Sequence, residues 1–144
     1  MMHDDLWTML QEGGYTLVVR SAGGEIKTSR ERGVKPLFIL LRHFPALLLR
    51  ASLADKVVGK GAAAMMIAGG VKQVRTGVIS RPALQLLLAH GVEVQYEEEV
   101  ETIVNRSRTG PCPVETLCAS APTAEACLPL IEEFIRSNNR PKPE

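Results

Sequence analysis

Nothing in this sequence is built for a membrane, a disulfide scaffold or a phosphate backbone. The most apolar region, Pro36 to Ala54, is broken by Arg42, His43, Pro45 and Arg50. It therefore lacks the roughly twenty uninterrupted residues that a bilayer crossing needs. Cysteines number three with no close pair, which fits reduced thiols in a cytosol and not a disulfide framework. Seventeen basic residues against sixteen acidic leave a net charge of +1, and no long run of one sign is present to track nucleic acid. The opening Met1-Met2-His3-Asp4-Asp5 carries acid where a secretory signal carries base. The glycine pairs at 13–14, 23–24 and 69–70 match no phosphate-binding fingerprint, because none begins a strand-loop-helix unit of the required spacing. His43 and His90 fall in the last turns of predicted helices, where positive charge suits the dipole, without a metal-ligand neighbour at useful spacing. No metal, cofactor, nucleic acid or membrane is expected as a partner, and the expected location is cytoplasmic.

What is present is an ordinary globular composition, with 45% apolar and 23% charged residues in 144. A chain of this size buries roughly two-thirds of its unfolded surface, enough for one core. One domain is expected over residues 1–136, followed by a polar, proline-containing, disordered tail over 137–144.

Leu6, Met9 and Leu10 have helical spacing, and Gly13-Gly14 stops that helix before the strand Thr16-Leu17-Val18-Val19-Arg20. Ala22-Gly23-Gly24 then turns the chain into Glu25 to Ser29, making a β-hairpin. Leu37, Leu40, Leu41 and Phe44 predict a helix from Val34 that Pro45 closes. Ser52 followed by Asp55 reads as a capping box, starting a small-residue central helix that ends at Gly69-Gly70. Val71 to Ile79 reads as a buried strand, Ser80 as the cap of a helix with Pro82 in its first turn, and Val92 to Tyr96 as an alternating strand. Strand, helix, strand in succession favours a parallel pair. A further helical segment is expected near Val100 to Val104, a loop over Asn105 to Pro113, and a last helix over Thr123 to Arg136.

Cys112 stands out because Pro113 favours the first position of a helix, which would put the thiol at its N-cap. The positive helix end would favour thiolate, so Cys112 is either a reactive sulfur or a small residue filling a turn. Cys118 and Cys127 read as buried hydrophobes. Asp55, Lys56 and Lys60 are expected in the first turns of the central helix, with both lysines on one face. They are either an anion site helped by Thr109-Gly110 or a cap with two solvated lysines.

Ala54-Asp55-Lys56-Val57-Val58-Gly59-Lys60, with Asn105-Arg106 and Thr109-Gly110-Pro111-Cys112-Pro113-Val114-Glu115, resembles a small bacterial family of uncharacterised domains, domain of unknown function 1893. The resemblance spans about Thr16 to Ile135. Pro111 and Val114 stand where the family commonly has methionine, and Gly61 where it has alanine. The resemblance implies a cytidine-deaminase-like α/β fold: a three-layer α/β/α sandwich on a mixed sheet with an N-terminal antiparallel hairpin. Nucleobase deaminases place His-x-Glu and Pro-Cys-x-x-Cys at two helix starts, where the histidine and two cysteines hold zinc and the glutamate moves protons. Here Leu53-Ala54-Asp55-Lys56 and Pro82-Ala83-Leu84-Gln85-Leu86 are set against those motifs and offer no such ligands, so zinc-dependent deamination is not expected. The leading expectation is a domain binding a small anionic or nucleotide-like molecule at Asp55, Lys56, Lys60, Thr109, Gly110 and Glu115, beside Cys112. A second is Cys112 as catalytic thiol in sulfur transfer or redox chemistry, encouraged by the similar fold of formate dehydrogenase accessory proteins. A third is a structural or interaction module, such as a homodimer.

Overall fold

The computed structural model describes residues 2–31, 33–103 and 113–138. Its elements run α1 (Met2–Gly13), β1 (Leu17–Arg20), β2 (Ile26–Ser29), α2 (Lys35–His43), α3 (Pro45–Leu48), β3 (Ser52–Val58), α4 (Lys60–Gly69), β4 (Gln73–Ser80), α5 (Arg81–Ala89), β5 (Glu93–Val100), α6 (Pro113–Cys118) and α7 (Ala124–Asn138). The five strands form one mixed sheet in the order β2-β1-β3-β4-β5. β1 is antiparallel to both β2 and β3, while β3, β4 and β5 are parallel. This is the open α/β sheet with an N-terminal hairpin that strand alternation and glycine turns predict.

Helices cover both faces. Leu6 and Leu10 of α1 pack with Val18 and Ala54 in a small core on one face, flanked by Trp7, Met9 and Tyr15. Ala54 and Gly77 have almost no side chain, so α1 lies close: Trp7 sits 3.2 Å from where a Cβ on Gly77 would be. Arg75 stacks on the Trp7 ring at 4.2 Å and reaches Glu97 at 3.7 Å. The main core fills the other face, with residues from α2, α3, α4, α5, α6 and α7. Helix α4 is buried nearly all round, from Gly61 through Met66, because α6 and α7 pack on it while its far side meets the sheet core.

Several sequence expectations are corrected. Ser52 to Val58 is strand and not the start of the central helix, so Ser52 is no cap: its hydroxyl bonds Gln73 Oε1 across to β4 at 2.7 Å. Local capping chemistry loses to a ladder that pairs β3 on both sides, with β1 and with β4. The helix starts at Lys60 with Gly59 as its N-cap, so Asp55 and Lys56 lie on the strand and Lys60 on the helix, not together on one helical face. Residues 101–103 are neither helix nor strand, and Val104 lies outside the described residues. Pro45 does close α2, but it also opens the four-residue α3, since proline suits a first turn. At the carboxyl end, Ser137 and Asn138 belong to α7, and the rest of the expected tail lies outside the described residues.

Strands β3 and β4 share an irregularity. Leu53 and Val58 both face the main core, as do Val74 and Ile79, although residues five apart on a regular strand face opposite sides. The ladder between the two strands skips Lys56 and Gly77. Both strands change face there together without an extra residue in either, and side chains brace the kink. Asp55 Oδ1 accepts from the Val57 N–H at 3.4 Å, and the Thr76 hydroxyl donates to the Val78 carbonyl at 3.1 Å.

Candidate functional site

Because β2, β3, β4 and β5 point the same way, the starts of α2, α4 and α5 gather at one end of the sheet. That is the carboxyl edge of the parallel strands, where open α/β sheets bind ligands. The three starts are finished differently. Val34, before α2, makes no side-chain cap. Ser80 caps α5 by accepting the Ala83 N–H at 3.3 Å. Gly59 has no side chain to cap α4, and the acceptor comes from 55 residues away: Glu115 Oε2 takes the Lys60 N–H at 2.6 Å.

Glu115 is 5% exposed, and no ion pair to it occurs among the described residues, which is rare for a carboxylate. One oxygen is accounted for by the Lys60 amide. The other, Oε1, is fully enclosed and has no hydrogen-bond partner among the described residues. Gly59 is what lets the carboxylate sit there. A Cβ on residue 59 would come within 2.7 Å of Oε2 and 3.3 Å of Ile103 Cγ1. Gly61 serves the same interface, since its Cβ would run into Val114. Lys60 in turn finishes α6, donating from Nζ to the Ala121 carbonyl at 2.8 Å and the Ala119 carbonyl at 3.3 Å. A cation at the negative end of a short helix is favourable, and this one is committed to it.

Asp55 is half-buried on β3, in the row Leu17, Asp55, Thr76, Tyr96 across four strands. Burial pushes its carboxyl up to about 7, against the opposing pull of the Val57 and Lys56 backbone N–H groups. A carboxyl that titrates near neutrality in the middle of a sheet is the kind of group catalytic and binding sites retain. Lys56, next along, is exposed. A separate groove of about 200 Å³ lies between β2 and α2, lined by Leu17, Lys27, Glu31, Pro36, Ile39 and Leu40.

Of the residues the sequence singles out, the structure brings Lys60 and Glu115 into direct contact and places Asp55 and Lys56 just before them on β3. Thr109, Gly110 and Cys112 lie outside the described residues. Helix α6 does begin at Pro113. Cys118 and Cys127 are fully buried free thiols. Burial, then the adjoining Cys127 thiol, pushes Cys118 up to about 12, with Lys60 pulling the other way, so it stays a protonated hydrophobe at neutral pH. Sequence reasoning missed Ile103, and it named Glu115 without its role. The usable signal was Gly59-Lys60-Gly61, a helix start with a glycine cap and no acid in its first turn. Such a start needs its acceptor from elsewhere in the chain. Among the described residues, no three His, Cys, Asp or Glu side chains cluster as a metal site, and no helix is long and apolar enough to cross a membrane.

A mixed five-stranded sheet with three helix starts over its carboxyl edge defines an α/β domain of the open-sheet class. Within that class, residues 5–135 match the TM1506 family, a domain of unknown function (DUF1893), and the chain belongs to that family. A crystal structure of a DUF1893 family protein from Thermotoga maritima is similar to it, with a TM-score of 0.83 and 25% identity over 91% of this chain and 88% of that one. No curated protein matches the chain.

Proposed function

We propose that this domain binds a small molecule over the carboxyl ends of β3 and β4, between Asp55 and the Glu115-capped start of α4. The observation that carries the reading is Glu115 Oε1: an enclosed carboxylate oxygen, at the edge where such folds bind ligands, with no partner among the described residues. Asp55 adds a second carboxyl held near neutral titration on the strand leading there. Both groups are costly to a purely structural domain, and such costs concentrate at functional sites.

We read the fold as a cytidine-deaminase-like sandwich that works without zinc. The helix starts at this edge carry Lys35-Pro36, Gly59-Lys60 and Arg81-Pro82, none of which ligates zinc. Leu53 to Lys56, the stretch that sequence comparison sets against the histidine motif, lies inside β3 and does not face the crevice as a helix start. Reduced Cys118 and Cys127 fit a cytoplasmic setting. Native mass spectrometry tests the reading. The wild-type protein carries or takes up a small molecule from a metabolite extract, and Gly59→Val, which displaces the Glu115 carboxylate, releases it. Wild-type protein that stays at the mass of the bare chain in both conditions sinks the proposal.

A further inference from the structure

The chemistry around α4 narrows what that molecule presents. The positive end of the helix is already matched by a carboxylate of the chain itself, with Glu115 Oε2 on the Lys60 amide. The Lys60 ammonium is committed to two carbonyls of the α6 end. A phosphate or carboxylate arriving here would meet no free cation of α4 and would lie against an existing negative charge. The remaining oxygen, Oε1, can only accept while Glu115 is ionised. Ile103 Cγ1 lies 3.3 Å from where a Cβ on Gly59 would stand, so an apolar side chain adjoins this helix start.

Resting on the proposed function, we infer that the ligand is a hydrogen-bond donor: a small molecule that gives an N–H of an amine, amidine or amide to Glu115 Oε1, neutral or positive at that end and not anionic. A buried acceptor bonded to a charged group contributes more than a neutral one, so the donor is a principal anchor. The same geometry makes recognition reversible by one atom. In Glu115→Gln the amide oxygen keeps the Lys60 N–H, and an NH₂ takes the place of Oε1. The site then asks for an acceptor.

Thermal unfolding of the full chain at pH 7.5 tests this with five named compounds: ammonium, low-millimolar guanidinium, adenosine, potassium and inorganic phosphate. The expected result is a rise in Tm of about 3 °C or more with at least one of the three N–H donors, and no rise with potassium or phosphate. That rise disappears in Glu115→Gln. Stabilisation by phosphate alone overturns the donor assignment while leaving a small-molecule site in place. An equal response to ammonium and potassium overturns it in favour of a metal cation. No response to any compound, with only an ordered water on Oε1 in a high-resolution crystal structure, overturns it as well. The wild-type measurements decide these outcomes even if Glu115→Gln does not fold.

Discussion

The units β3-α4 and β4-α5 are neighbours built on one plan, and they differ in where they find their polar partners. Asp55 and Thr76 are paired across the strands, and each uses its side chain to brace the kink two residues on. In β4 the brace is a hydroxyl, which carries no charge, and the next helix is capped by the adjacent Ser80. In β3 the brace is a carboxyl whose ionisation burial resists, and the next helix is capped by a carboxylate from α6. One unit is complete within its own stretch of chain. The other depends on a distant segment and holds two acids in costly places, which is where the proposed site lies.

The largest expected effect is on the distant cap. Glu115→Ala leaves the Lys60 N–H without its acceptor and opens a void beside Gly59, and it should destabilise by about 3 kcal/mol, read as a lower urea midpoint. Next is Asp55. Its folded value of about 7 lies above the ordinary value of 3.8, so the folded state holds the proton more tightly than the unfolded chain. Its effect is absent below about pH 3.8, grows as pH rises, and is complete above about 7. At about 1.4 kcal/mol per pH unit the ceiling is roughly 4 kcal/mol, and with the carboxyl only half-buried about 2 is expected. Asp55→Asn should therefore be more stable than wild type by about 2 kcal/mol at pH 8 and equal to it near pH 3.5. A flat difference across that range would show that ionisation is not what separates the two units. Lys60→Met removes the ammonium from the Ala119 and Ala121 carbonyls and should cost about 1 kcal/mol. Smallest is Ser80→Ala, at about 0.5 kcal/mol, because the bond to Ala83 is long and a cap of this kind is worth about 1 at best. If Ser80→Ala cost as much as Glu115→Ala, the contrast between local and distant capping would collapse.

Much of the sheet was legible in advance. Gly23-Gly24 between two short runs marked the hairpin, Ser80 with Pro82 marked the start of α5, and alternation marked β5. The run of small residues marked α4 as the central helix, able to approach its neighbours closely. The start of α4 was misread because Ser52 and Asp55 have the spacing of a capping box, and nothing local distinguishes a box from two polar residues on a paired strand. Glu115 could be named but not understood, since its partner is the amide of Lys60, 55 residues earlier.

The sequence by itself determined the elements whose stabilising contacts lie within a few residues: turns at glycine, a serine cap, alternation on a strand, small side chains on a central helix. Only the tertiary structure decided that Ser52 to Val58 is a strand and that a carboxylate of α6 closes the start of α4. A ladder with two neighbours outweighs one local cap, and an N–H that lacks a nearby acceptor bonds to whichever oxygen the packing of distant helices delivers.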